Sequence, residues 1–199
     1  MSADERFLPR EMKIGFAAHK RHYDRYFKSI EMVGELGNGE TWLDCACGSG
    51  YGTNLLSNFS SRVVGYDISA EAIDIAKKQY ATKNVSFFSE LDNVSKLSMD
   101  KIFSVETIEH MPEKPAFDFL ETLRGLLKPT GKMIITTPIV PETCYSPQNP
   151  YHDIEYCHQH FCSLLESTGF SIIKADFVTT TFTDGETKQQ GYYLCEINK

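Results

Sequence analysis

Apolar residues recur along this chain at two spacings, and the spacings alternate. Over residues 16–36, Phe16, His19, Tyr23, Tyr26, Phe27, Ile30 and Val33 return every three or four positions, which predicts a helix with one inward face. Gly37-Asn38-Gly39 ends it. Residues 41–45 form a short apolar run that predicts a strand, and residues 51–58 predict a helix. Residues 62–66 predict a second strand. The helix after it opens at Ser69, an N-cap type residue, and carries Ala72, Ile73, Ala76 and Tyr80 on one face. Residues 85–88 predict a third strand.

The same alternation continues through the second half. Residues 101–105 predict a fourth strand, and Pro115 sits in the first turn of a helix striped by Ala116, Leu120, Leu123 and Leu127. Lys128-Pro129-Thr130-Gly131 is expected to break that helix and turn into a fifth strand over 132–137. A proline-rich loop (138–151) leads to a helix near 159–167. Residues 170–180 and 189–197 then predict a closing antiparallel pair joined through Thr183-Asp184-Gly185-Glu186. Strands separated by helices of this length imply a parallel sheet covered on both faces. The expected fold is therefore α/β and Rossmann-like: a mostly parallel seven-stranded sheet with an antiparallel C-terminal strand. One domain over 1–199 is expected, with a helical cap (1–38), a ligand-binding core (40–137), and a substrate loop with the C-terminal strands (138–199). Ligands of such sheets bind beyond the carboxyl ends of the strands, so the loops after Asp44, Asp67, Phe88, Val105 and Thr137 share one rim.

Composition narrows the class. The chain has 199 residues, 41% apolar and 24% charged, enough for one domain with a full core. No apolar run is long enough to span a bilayer, and MSADERFLPR lacks the basic-then-apolar order of a secretory signal. A cytoplasmic protein is the expectation. Six cysteines (Cys45, Cys47, Cys144, Cys157, Cys162, Cys195) show no CxxC pair, so reduced thiols are expected and a zinc knuckle is not. A net charge of −7 argues against broad electrostatic binding to nucleic acid. Against that background, Arg10, Lys13, Lys20, Arg21, Arg25 and Lys28 cluster beside Glu11 and Asp24. They read either as a solvated helix face or as a rim that attracts an anionic substrate.

The densest chemistry lies in LDCACGSGYGT, residues 43–53. An acidic residue closing a strand is followed by Gly48, Gly50 and Gly52, where backbone can approach a ligand and positive φ costs little. The amides opening the next helix suit an anionic or nucleotide-type group. The spacing is GxGxG, not the GxGxxG of dinucleotide folds, and no Gly-Lys-Ser/Thr follows, which disfavours a nicotinamide oxidoreductase or a phosphate loop. Asp67, ending RVVGYD, is placed to accept from a ribose diol, to favour the start of the next helix, or both.

With these residues in view, the chain resembles the class I S-adenosylmethionine (SAM)-dependent methyltransferases. The resemblance covers about residues 23–170 and rests on LDCACGSGYGT, VVGYDIS, FSVETIEHMPE and LLKPTGKMIITTP, in that order. It implies the Rossmann-like class I methyltransferase fold and SAM as cofactor. Asp44, Cys45, Gly48, Ser49 and Gly50 would line its methionine end, with Asp67 and Ile68 at the ribose and adenine. Glu90, in Ser89-Glu90-Leu91, stands where relatives commonly have Gly-Asp-Ala and would accept from the adenine amine. His22-Tyr23-Asp24-Arg25-Tyr26 is similar to a cofactor-capping segment, with Arg25 either on the methionine carboxylate or in a surface ion pair.

Methyl transfer to a hydroxyl requires in-line placement and removal of a proton. Glu106-Thr107-Ile108-Glu109-His110 puts two carboxylates and an imidazole within one turn just past the fourth strand. With His152 on the same rim, Glu106, Glu109, His110 and His152 form a candidate set for Mg²⁺ or a similar divalent ion. Similar ExxEH segments occur in ubiquinone-pathway O-methyltransferases and in RNA 3′-terminal 2′-O-methyltransferases. Without a metal, Glu106 touches the cofactor, Glu109 caps the following turn, and His110 is a base or a packing residue. The catalytic candidates are His110, Glu106 and His152. NPYHDIEY is similar to a segment of methyltransferases linked to glycan and O-antigen biosynthesis, which implies a sugar-like hydroxyl faced by Tyr151, His152 and Glu155. The leading expectation is an O-methyltransferase with a small-molecule or glycan-like acceptor. RNA-terminal methylation and a SAM-binding regulatory protein without turnover are the alternatives. Base-amino DNA methylation is disfavoured, because the loop after strand four is not Asp/Asn-Pro-Pro-Tyr.

Overall fold

The computed structural model describes residues 16–34, 36–94, 96, 98–182 and 185–198. Arg10, Glu11 and Lys13 of the basic cluster lie outside the described residues, as do Thr183 and Asp184 of the closing turn and the side chains of Phe16 and His19.

Helix α1 (Phe16–Val33) ends at Gly34, whose φ of +78° closes a helix without a Cβ penalty. That stop comes before Gly37-Asn38-Gly39, which is released to start strand β1 (Gly37–Cys45). Tyr26, Met32 and Val33 are the inward face of α1, whereas Phe27, given an inward place by spacing alone, is 50% exposed. Helix α2 (Tyr51–Leu56), β2 (Ser60–Tyr66), α3 (Ala70–Tyr80) and β3 (Val85–Phe88) follow as the pattern predicts. Ser69 caps α3 by accepting from the amide of Ala72 at 3.3 Å, and Ala72, Ile73 and Ala76 are buried beneath it.

Strand β4 (Met99–Val105) leads to α4 (Glu113–Leu126), where Pro115 occupies the first turn and no intrahelical amide is missed. The expected stripe is shifted at its end: Leu126 is the last buried helical residue and Leu127 already begins β5 (Leu127–Ile139). Lys128-Pro129-Thr130-Gly131 is not a turn before the strand. Met99 pairs with Leu127 and Lys101 with Lys132, so the four residues are carried as a bulge within it. Lys128 pins the bulge to Asp100 at 2.7 Å. Helix α5 (His158–Ser167), β6 (Phe170–Thr181) and β7 (Thr187–Ile197) complete the chain.

The seven strands lie in the order β3-β2-β1-β4-β5-β7-β6. All run parallel except β7, which is antiparallel to both β5 and β6. Alternate strand residues face opposite layers. Ile102, Met133, Ile135 and Tyr193 pack under α4 and α5, while Phe103, Ile134 and Tyr192 pack under α1 and α2. The chain direction across the sheet reverses between β1 and β4, and ligands of open α/β sheets settle at such a point. The connection before β6 feeds the far edge, so β7 doubles back and delivers its first residues to the same rim: Gln189 pairs with Ile139.

Candidate functional site

The three glycines of the first turn have three separate causes. Gly48 (φ +53°) opens on space, with nothing within 4 Å of where a Cβ would stand. Gly50 (φ +84°) lies against Ala76 and Phe87, so a Cβ there would come within 2.7 Å of the alanine methyl. Gly52 lies beneath the Tyr26 ring, and a Cβ on it would come within 2.0 Å of that ring. Ala46 and Glu106, the residues following β1 and β4, also adopt positive φ, +64° and +55°. Both line the same cavity, and strained non-glycine backbone of this kind collects at ligand clamps.

The carboxylates on this side are turned inward. Asp44 is fully buried, accepting from the Thr53 hydroxyl at 2.6 Å and the Tyr26 hydroxyl at 3.0 Å. Burial pushes its carboxyl up to about 7 against the pull of those two donors. Asp67 accepts from the amides of Gly48 (2.8 Å) and Ser69 (2.9 Å), tying the glycine turn to the start of α3. The Cys45 side chain belongs to the core. Beyond them, Ile68 is 81% exposed and the Glu90 side chain lies in solvent. Gly48 and Ser49 line the cavity; Asp44, Cys45, Gly50, Asp67, Ile68 and Glu90 do not.

That cavity, of about 450 Å³, is enclosed by α1, the glycine turn, the ends of β4, β5 and β7, and the loop after β5. Glu106 is saturated within it. Its carboxylate accepts from Thr136 Oγ1 at 2.9 Å and from the Gln190 amide, and pairs with Arg25 Nη2 at 3.0 Å. Burial works against the charge on Arg25, but Glu106 and the other charges around it outweigh that and raise its pKa. Arg25 is bonded to Glu106 through Nη2 and lines the cavity.

Glu109 is buried, with Thr137 Oγ1 donating to it at 3.1 Å. Burial, and then the charge of Glu106, hold its carboxyl well above the usual carboxylate range. Its backbone carbonyl accepts from the amides of Asp153 and Ile154 at 2.7 and 3.2 Å, which stitches the loop after β5 to the turn after β4. The stitch brings His152 beside His110, their rings 5.0 Å apart and edge-on. His110 Nδ1 lies 2.8 Å from the Tyr151 carbonyl, an acceptor only, so Nδ1 carries the proton and Nε2 presents its lone pair. His152 Nδ1 is held by Glu155 at 2.7 Å in the same manner. One donor atom each from Glu109, His110 and His152 lies within 4.8 Å of the others, the one such cluster among the described residues. Glu106 lies outside it, its oxygens bonded to Arg25, Thr136 and Gln190. Tyr151 and Glu155 do not line the cavity; each orients an imidazole instead.

Sequence reasoning missed Thr136, Thr137 and Gln190, and it missed the wall made by Val178, Phe182, Lys188 and Tyr192. The usable signal was the direction of β7: an antiparallel neighbour of β5 must begin at the carboxyl rim. All six cysteines are free, and no described helix is long and apolar enough to cross a membrane.

Comparison with known proteins agrees with this geometry. Residues 17–175 match a family described as a methyltransferase domain. Phosphoethanolamine N-methyltransferase 3 of Arabidopsis thaliana is 29% identical over 197 residues, covering 85% of this chain and 38% of that protein. A ubiquinone biosynthesis O-methyltransferase of Rhodopseudomonas palustris is 29% identical over 121 residues, 59% of this chain and 46% of that one. The chain thus spans less than half the length of these curated relatives. A SAM-dependent methyltransferase of Leishmania major superposes with a TM-score of 0.72 at 19% identity, over 88% of this chain and 73% of that one, a likeness of fold.

Proposed function

Since this chain belongs to the methyltransferase-domain family, we propose that it is a class I SAM-dependent methyltransferase that transfers the methyl to a hydroxyl of a small or glycan-like acceptor. One observation supports this above the others. Two imidazoles, each fixed through Nδ1, line the cavity edge-on to one another, and a donor atom of each lies within 4.8 Å of one on buried Glu109. A hydroxyl is a poor nucleophile until its proton is taken, and a neutral, oriented imidazole is suited to take it. An amine acceptor has less need of such a pair.

The cofactor fits the residues present. The missing Cβ of Gly48 leaves space at the end of β1, and Ile68 stands exposed next to Asp67. In this proposal Gly48 and Ser49 take the methionine end, Asp67 the ribose, and Ile68 with Glu90 the adenine. Asp44, Cys45 and Gly50 shape the turn from behind. Arg25 holds Glu106 at the cavity wall. SAM, when bound, supplies a sulfonium methyl that needs no further activation. His110 Nε2 accepts the hydroxyl proton while its Nδ1–H stays on the Tyr151 carbonyl, which steadies the imidazolium that results. His152, held by Glu155, orients the same hydroxyl.

A second reading is favoured by the gathering of Glu109, His110 and His152 itself. Two imidazole nitrogens and one carboxylate oxygen are a donor set suited to Mn²⁺, Fe²⁺ or Zn²⁺ more than to Mg²⁺. A divalent ion held by those three residues would supply Lewis acidity that lowers the hydroxyl's pKa. Transfer of labelled methyl from SAM to sugars, nucleotide sugars and phenols, set against simple amines, tests the main proposal. Methylation of amines but no hydroxyl overturns it. Activity that persists in excess EDTA removes the metal reading; activity abolished by EDTA and restored by Mn²⁺ or Zn²⁺ replaces the base reading with it.

A further inference from the structure

Helix α1 carries four described lysines and arginines, and three are matched by carboxylates. Lys20 meets Asp24 at 2.6 Å, Arg25 meets Glu106 at 3.0 Å, and Lys28 meets Glu31 and Asp176 at 3.3 and 2.9 Å. Arg21 is the exception. It is half-buried and lines the cavity, its guanidinium carbon 5.2 Å from the centre of the Phe182 ring, with no carboxylate in ion-pair range among the described residues. Lys188 reaches the same ring from β7, with Nζ 5.8 Å from its centre, and also lines the cavity. The carboxylate beside it, Glu186 at 3.4 Å, is as exposed as the lysine, with 54% and 59% of their side chains in solvent. Pairs so exposed neutralise little.

Carboxylates are not scarce in this chain, which has 27 acidic residues against 20 basic. Two cations left facing one cavity wall are therefore a local arrangement, in a molecule whose net charge otherwise repels anions. We propose that Arg21 and Lys188 form an oxyanion subsite at the α1–β7 side of the acceptor pocket, and that the acceptor is a small hydroxylated molecule bearing a phosphate or a carboxylate. The proposal rests on the acceptor reading above and adds the substrate class. Phe182 holds both cations by its ring face, and a guanidinium fork matches either oxyanion with paired hydrogen bonds. Val178 and Phe182 supply apolar wall for the body of the acceptor.

The test uses the full chain saturated with S-adenosylhomocysteine. Sodium phosphate and sodium acetate are titrated separately at ionic strength held constant with sodium chloride, and the backbone amide resonances of Phe182 and Gln189, which line the same wall, are followed by NMR. A saturable shift is expected with an oxyanion and not with chloride alone. R21Q and K188Q should each weaken that binding about tenfold, the loss of one charge-assisted bond, while S-adenosylhomocysteine affinity by calorimetry is unchanged. Tighter phosphate assigns a phosphate-bearing acceptor, and tighter acetate a carboxylate-bearing one. Shifts that chloride reproduces overturn the proposal, as does undiminished oxyanion binding in both variants. A fall in S-adenosylhomocysteine affinity also overturns it, because the cations then serve the cofactor's own carboxylate. Oxyanion binding is read without turnover, so a protein that binds phosphate yet methylates no hydroxyl loses only the hydroxyl reading. One that methylates a hydroxyl and ignores both oxyanions loses only this inference.

Discussion

On the β1–β2 side of the rim, Asp44 and Asp67 satisfy the protein itself: two hydroxyls converge on the first and two backbone amides on the second. On the β4–β5 side, His110 and His152 use one ring nitrogen each for support, and both residues line the cavity. Both sides are equally well built into the sheet, so the contrast is not one of order. It separates residues that shape a surface from residues that act across it. A strand-end carboxylate partly engaged from behind is a place to look for binding and not for proton transfer. A histidine anchored at Nδ1 suits proton transfer, since anchoring fixes the tautomer and aims the remaining nitrogen.

The largest effect expected from this contrast is on turnover. His110→Ala should lower kcat by about 10²–10⁴-fold, the usual worth of a positioned general base. SAM affinity should be unchanged, because His110 belongs to the acceptor side. Single-turnover kinetics beside calorimetry separates the two quantities. A variant that keeps its rate, or loses cofactor instead, would dissolve the division of the rim.

Next is the pH dependence that Asp44 brings to the shaping side. The Asp44 carboxyl is raised from 3.8 to about 7, so between those values the folded protein keeps a proton that the unfolded chain has released. Stability therefore falls as pH rises through that window, and above about pH 7 the whole cost of a buried charge is present. At about 1.4 kcal/mol per pKa unit the wild type should lose roughly 4 kcal/mol across it from this one group. Asp44→Asn keeps an oxygen for one hydroxyl and removes the charge, so its stability should fall less steeply, by the share that Asp44 contributes, leaving the fall due to buried Glu109. Urea unfolding at pH 5 and pH 8 makes the comparison over the upper part of that window, where Asp44 should account for about 3 kcal/mol. Parallel curves for the two proteins would mean that Asp44 is ionised at no cost.

These contrasts also show what could be read from sequence. Strand β3 and the start of helix α3 were legible to the residue, because a burial period and a capping serine are local properties. The proline–glycine bulge in β5 was not. Lys128-Pro129-Thr130-Gly131 has the composition of a turn, and only the Met99–Leu127 and Lys101–Lys132 pairings show that the strand passes through it. At the site, Glu109, His110 and His152 could be named from their spacing and the shared rim. The engagement of Glu106 could not, since its partners include Arg25, eighty-one positions earlier, and Gln190, eighty-four positions later. Gly52 likewise reads as part of a ligand loop until the Tyr26 ring is found above it. Pattern reveals which residues share a face; it does not reveal which partner has already claimed them.

Asp67 tests whether a shaping carboxylate still matters to the cofactor. Asp67→Ala removes the acceptor for the Gly48 and Ser69 amides at once, which should cost about 1.5–3 kcal/mol of SAM affinity with kcat at saturation largely kept. Calorimetry reads the first and saturation kinetics the second. Equal affinity in the two proteins would strip Asp67 of its ribose role and leave it as the tie between the glycine turn and α3.

The smallest effect concerns Ile68, the one large apolar side chain that the shaping side leaves in water. At 81% exposure it gains nothing from the fold, whereas an adenine face laid over it would remove much of that surface from solvent. Buried methylenes are worth about 0.8 kcal/mol each, and partial cover by a flat ring returns only a fraction of the three carbons that Ile68→Ala deletes. A loss of about 1 kcal/mol in SAM affinity is expected, close to fivefold, with no change in folding stability because the side chain packs on nothing. The two readouts must part company for the cofactor to lie there. If both stay level, adenine rests elsewhere on the rim; if stability falls with affinity, Ile68 is serving the fold and the contrast between the two sides narrows.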